Sequence, residues 1–74
     1  MTVQIEQFGA WLIGQHSRPG WIGDLARVAA GDRTFPRSGD PDRVRGYLDR
    51  THAEADMFEA LEDAEALWFG FSRY

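Results

Sequence analysis

The chain contains no cysteine and no lysine among its 74 residues. The lack of cysteine excludes disulfides and thiolate metal sites, so apolar packing must hold the fold together. No apolar run approaches the roughly 18 residues of a membrane span. The first residues also lack the basic flank and apolar stretch of a secretion signal. We therefore expect a soluble, cytoplasmic protein that makes no membrane contact.

What the chain does contain is a large number of aromatic residues for its length, with three Trp, five Phe and two Tyr. A chain of this size forms one domain, here residues 1–74, and buries roughly 60% of its unfolded surface. Large buried rings therefore carry much of its stability. All eight basic residues are Arg. Codon usage in a GC-rich genome is the simple explanation, and selection for the planar guanidinium is the functional alternative.

Apolar residues recur at helical spacing in four segments, which predicts helices over residues 4–16, 21–30, 41–50 and 52–69. No segment alternates with period two, so we expect an all-α fold without strands. The second helix is predicted to bury a stripe that includes Val28. Eight residues are predicted to form the core: Phe8, Trp11, Leu12, Leu25, Phe35, Tyr47, Leu48 and Leu61.

Turn and capping residues separate these helices. Asp40-Pro41 is typical of a helix start, because Asp accepts orphan amides and Pro fits the first turn. The segment Thr51 to Glu54 matches a capping box and predicts the start of the fourth helix at His52. Gly23, inside the second helix, predicts close approach of a neighbouring helix. Phe35, the only large apolar residue of its loop, is expected to reach the core.

Several of these residues together resemble the YozE-like family of short bacterial proteins, which are also called sterile-alpha-motif-like. The resemblance spans roughly residues 8–68. It implies a compact four-helix domain with a sterile-alpha-motif-like arrangement, and it implies no reaction. Glu65 departs from the pattern where an aromatic is expected, with Trp68 one turn later. The matching residues are Phe8, Trp11, Leu12, the run Ile22-Gly23-Asp24-Leu25-Ala26, Asp32, Phe35, Pro36, Tyr47, Leu48, Glu59, Ala60, Leu61 and Ala64.

Residues for catalysis or metal binding are scarce. His16 and His52 are far apart in the sequence and share no carboxylate at ligand spacing, so no metal site is predicted. The serines lack a nucleophile-elbow context, and the glycines form no phosphate-binding loop. Asp24, early in the second helix, is predicted to be structural, accepting hydrogen bonds near the helix start or from the loop before the third helix. We therefore predict a non-enzymatic protein without cofactors.

Charge is distributed unevenly along the chain. The fourth helix carries six acidic residues from Glu54 to Glu65 and no arginine, whereas six arginines lie between Arg27 and Arg50. A solvated polar surface explains this pattern simply. A protein-interaction module, with another protein or a second copy as partner, is the functional hypothesis. Nucleic-acid binding through the arginines is the alternative, which the net charge of −4 disfavours. The candidate surface comprises Arg33, Arg37, Arg43, Arg45, Glu59 and Glu62.

Overall fold

Four helices form the computed structural model, which describes residues 7–72. They are α1 (Phe8–Ile13), α2 (Gly20–Ala30), α3 (Pro41–Arg50) and α4 (Ala55–Ser72). No strand occurs within residues 7–72, so the all-α prediction is confirmed. Helix α4 packs against each of the other three helices, and α1 also contacts α2 and α3.

The first helix is shorter than its apolar pattern predicts. The pattern covers residues 4–16, whereas α1 runs from Phe8 to Ile13, and residues 4–6 lie outside the described part. After Ile13 the chain tightens into turns, in which the Gln15 amide donates to the carbonyl of Leu12, three residues back, at 2.9 Å. The Gln15 side chain also donates to the Trp11 carbonyl at 3.1 Å. Amide hydrogen bonds to a carbonyl three residues back, and side-chain bonds to the last carbonyls, are typical of the end of a helix.

Two glycines mark places where backbone packs directly on backbone. A Cβ atom on Gly9 would overlap the carbonyl oxygen of Pro36, and the Gly9 amide donates to the Gly39 carbonyl at 3.0 Å. A Cβ atom on Gly23 would overlap the carbonyl of Arg18. The prediction that Gly23 contacts a neighbouring helix is therefore wrong, because its neighbour is the turn that precedes α2.

The loop between α2 and α3, residues 31–40, is fastened to the core. Phe35 is only 3% exposed and packs edge-on against the Tyr47 ring, with centroids 5.2 Å apart. Asp40 accepts a hydrogen bond from the Arg43 amide at 2.9 Å, and Pro41 opens α3. The predicted core role of Phe35 and the predicted start of α3 are both confirmed.

The connection from α3 to α4 differs from the predicted capping box. The Thr51 hydroxyl donates to the carbonyls of Tyr47 and Leu48, at 3.0 and 3.3 Å, and so it caps the end of α3. His52 has a φ of +55°, and the Ala53 amide donates to the Leu48 carbonyl at 3.0 Å. This is a Schellman ending with His in the place usually taken by Gly. Because Thr51 is used in this way, α4 begins three residues later than predicted.

The core lies between the four helices and includes seven of the eight predicted residues. The exception is Trp11, which is partly buried and stacks on Phe8 at 5.9 Å. Val28 is 52% exposed, so its predicted place in the buried stripe of α2 is wrong. The buried apolar residues are Phe8, Leu12, Leu25, Ala26, Ala29, Phe35, Val44, Tyr47, Leu48, Ala60, Leu61 and Ala64.

Candidate interaction surfaces

The four predicted arginines divide into two groups. Arg33 and Arg37 lie on the loop at residues 31–40, and Arg43 lies in the first turn of α3. All three are exposed, and none forms an ion pair within the described residues. Arg45 is half-buried and pairs with Asp42 at 3.2 Å and with Glu65 at 3.4 Å. The three exposed arginines are therefore free to meet a partner, whereas Arg45 ties α3 to α4.

Glu65, where the resemblance to the YozE-like family predicts an aromatic residue, contacts Arg45. Glu65 is half-buried on the side of α4 that faces α3, and its carboxylate binds the Arg45 guanidinium. Trp68, one turn later, packs edge-on against Phe8 with centroids 5.5 Å apart. A charged contact and an aromatic contact thus lie next to each other along α4.

An open acidic cleft lies between the start of α2 and the middle of α4. It has a volume of about 240 Å³ and is lined by Trp21, Glu59, Glu62 and Asp63. The Trp21 indole N–H donates to the Asp63 carboxylate at 2.8 Å, which bridges the two helices. Glu59 and Glu62 are exposed and have no ion pair within residues 7–72. We call this feature the Trp21 cleft.

The Trp21 cleft contains two predicted surface residues and two that the sequence did not single out for this surface. The spacing of Glu59, Glu62 and Asp63 places all three carboxylates on one side of a helix. That spacing is a signal that the sequence offers. The position of Trp21 beside them depends on how α2 packs on α4, and no local pattern encodes it.

The carboxylate that holds the loop before α3 is Asp32, not Asp24. Asp24 pairs with Arg27 on the exposed side of α2, so its predicted bonds from that loop are absent. Asp32 accepts from the Tyr47 hydroxyl at 2.6 Å and from the Thr34 amide and hydroxyl at 2.9 and 2.8 Å. These bonds, led by that from Tyr47, lower the pKa of Asp32. Burial, with the hydrogen bond and charge of Asp32, raises the pKa of Tyr47 to about 12.

Arg27 fastens the turn before α2. One of its guanidinium nitrogens donates to the His16 carbonyl at 2.7 Å, while the other pairs with Asp24. Asp24 therefore supports the helix entry through Arg27.

The two histidines are exposed and lie in the turns before α2 and before α4.

Within residues 7–72, no three His, Asp or Glu side chains lie close enough to hold a metal ion. No helix described by the structure is long and apolar enough to cross a membrane.

Comparison of the chain with protein-family models found no match, and comparisons with curated proteins and with solved structures found none either. The resemblance to the YozE-like family therefore stays a prediction. The four-helix all-α fold is observed directly.

Proposed function

We propose that this protein is a non-enzymatic interaction module that binds a basic segment of a partner protein through the acidic side of α4. The observation that carries the proposal is the Trp21 cleft, which is lined by an indole ring and three carboxylates. The family resemblance supports the proposal in a general way, since sterile-alpha-motif-like domains commonly associate through complementary surfaces. A sterile-alpha-motif-like arrangement of the helices is part of the proposal.

The charges on α4 favour a cationic partner. Within residues 7–72, Glu65 is the only one of the four carboxylates between Glu59 and Glu65 that pairs with an arginine, and Asp63 accepts from a neutral indole. Glu59 and Glu62 therefore present uncompensated negative charge at the cleft. Trp21 is 39% exposed, and an exposed indole ring attracts Arg and Lys side chains through its π face. Complementary charge raises association rates and discriminates against wrong partners.

Nucleic-acid binding is the second candidate, and the exposed arginines Arg33, Arg37 and Arg43 are the observation that favours it. Residues 31–50 contain five arginines but also four aspartates, so this region has little net positive charge. Binding to nucleic acid depends on the neutralisation of several phosphates at once. The basic side is therefore a weaker candidate than the acidic side.

The test compares two carboxylates in the cleft with two carboxylates at the start of α4, of which Glu54 immediately precedes the helix. Glu59→Gln with Glu62→Gln removes two charges at the cleft, and Glu54→Gln with Asp56→Gln removes two exposed charges near the start of the helix. The probe is an oligo-arginine peptide, measured by calorimetry at constant salt, with a neutral peptide as background. Since each exposed charge contact contributes up to about 1 kcal/mol, the cleft variant should bind about tenfold more weakly. The control variant should change binding by less than about threefold.

Equal losses in the two variants would show that only overall charge attracts the peptide, and the proposal would fail. A parallel measurement with a DNA duplex addresses the alternative. DNA binding that Arg33→Glu with Arg37→Glu abolishes, in the absence of any peptide binding, would establish the nucleic-acid function instead.

A further inference from the structure

The exposed side of α2 carries an unusual pair of apolar residues. Three large apolar side chains are exposed among the residues whose burial is described, and two of them, Trp21 and Val28, lie on this helix. They are seven residues apart, so they share one side of the helix at a spacing of about 10 Å. The Trp21 N–H is already bonded to Asp63, so the rest of the exposed ring is apolar. Val28 is 52% exposed and has no such polar atom.

An acidic and a basic residue lie between these two apolar positions. Asp24 and Arg27 are exposed by 59% and 51% of their side chains and pair with each other. Along α2 the exposed side therefore reads apolar, acidic, basic, apolar. When two copies of α2 lie side by side in antiparallel orientation, Trp21 of each copy lies opposite Val28 of the other. Asp24 of each copy likewise lies opposite Arg27 of the other. A twofold interface requires this property, because each contact between residues i and j occurs twice.

We propose that the exposed side of α2 pairs with the same surface of a second copy of this chain, in antiparallel orientation about a twofold axis. Trp21 and Val28 form two equivalent apolar contacts, and the Asp24–Arg27 pairs of the two copies combine into a cluster of four charges. Arg27 keeps its bond to the His16 carbonyl, because the guanidinium offers five donors.

The charges at the two ends of α2 fit the same arrangement. The acidic Trp21 cleft lies at the start of α2, and the loop carrying Arg33 and Arg37 follows its end. An antiparallel pair places the arginine-bearing end of one copy beside the acidic end of the other. The contact between the acidic cleft and the arginine-bearing loop rests on the proposed function, because it makes a second copy of this chain the basic partner of the cleft. The contacts on α2 itself can be tested separately.

The experiment is sedimentation equilibrium of the full chain at protein concentrations from about 10 µM to about 1 mM, the range suited to a small interface. The average mass should rise with concentration from the 8.4 kDa of one chain towards twice that value. Val28→Glu places a charge in each apolar contact and should weaken association at least about tenfold. Phe69→Glu changes the third exposed apolar residue, on α4, and should leave association within about twofold.

A charge exchange tests the antiparallel register. Asp24→Arg and Arg27→Asp should each abolish self-association, because like charges then face each other across the axis. A mixture of the two variants should regain a dimer that contains one chain of each. Circular dichroism checks that each variant is folded, and if Arg27→Asp is not, then Val28→Glu and Asp24→Arg still decide the question.

A mass that stays at one chain over the whole concentration range overturns the inference. So does equal weakening by Val28→Glu and Phe69→Glu, or a mixture no heavier than its components. The proposed function fails in a different way. If it alone is wrong, the chain dimerises but the monomeric variant Val28→Glu does not bind the oligo-arginine peptide, whereas if the dimer alone is wrong, the peptide binds a chain that stays monomeric at every concentration.

Discussion

Replacing Gly9 with Ala should destabilise the protein, although Ala is the better helix former. The new Cβ would lie 2.8 Å from the carbonyl oxygen of Arg37 and closer still to that of Pro36. Both neighbours are backbone atoms, so the loop at residues 31–40 must move away from α1. That movement weakens the hydrogen bond from the Gly9 amide to the Gly39 carbonyl, now 3.0 Å long.

The size of the effect follows from opposing contributions. Forcing extra atoms into a packed contact costs about 1–3 kcal/mol, and a weakened backbone hydrogen bond costs about 1 kcal/mol more. The gain in helix propensity of up to about 1 kcal/mol offsets part of this cost. We expect Gly9→Ala to lower the free energy of unfolding by about 2–3 kcal/mol. For a domain of this size the melting temperature then falls by roughly 10–20 °C.

Gly46 provides a matched control for this change. It lies inside α3, and a Cβ atom there would meet no atom within 4 Å. Gly46→Ala should therefore raise the free energy of unfolding by about 1 kcal/mol. Thermal and urea melts of both variants, followed by circular dichroism, measure the difference. If the two substitutions shifted the melting temperature in the same direction, the close contact of α1 with the loop would be refuted.

Other predictions concern the loop, the α3–α4 turn and the response to pH. Phe35→Ala should lower the free energy of unfolding by about 3–5 kcal/mol, so a urea melt that finds an unchanged midpoint would contradict its core role. His52→Gly should raise the free energy of unfolding by as much as about 1 kcal/mol, because Gly adopts a positive φ without strain; a urea melt measures this too. The pKa of Asp32 is lowered from its ordinary 3.8, so its contribution to stability is present above that pH and is lost as pH falls through the lowered value. The pKa of Tyr47 is raised from 10.0 to about 12, so its contribution is complete below pH 10 and is lost as pH rises towards 12. Tyr47→Phe should remove the alkaline loss and reduce the acid loss, and urea melts across pH that found both losses unchanged would exclude this hydrogen bond as their cause.

Sequence reasoning succeeded for features that a few neighbouring residues determine. Asp40-Pro41 starts α3 as predicted, because a side-chain cap needs only residues within one turn. The isolated Phe35 packs into the core because its polar loop cannot bury the ring by itself. The predicted capping box at Thr51 is wrong for a related reason. The Thr51 hydroxyl can bond either to the helix before it or to the one after it, and the sequence alone does not rank these choices.

The candidate surface was predicted only in part. The helical spacing of Glu59 and Glu62 predicts that they lie together, and the exposure of Arg33, Arg37 and Arg43 follows from their positions in the loop and in the first turn of α3. The half-buried pairing of Arg45 with Glu65 could not be foreseen, since it joins residues twenty positions apart on two helices. Nor could the Trp21 bridge to Asp63, which joins residues 42 positions apart.

The sequence by itself therefore determined the number and type of helices, most of the core and the uneven distribution of charge. The helices and the core follow from a periodicity that can be read over one or two helical turns, and the distribution of charge follows from composition. The tertiary structure alone decided which backbone segments pack on Gly9 and Gly23, that Val28 faces outward, and that Trp21 closes an acidic cleft. Those outcomes depend on the relative placement of distant segments, which is set by the packing of the whole core.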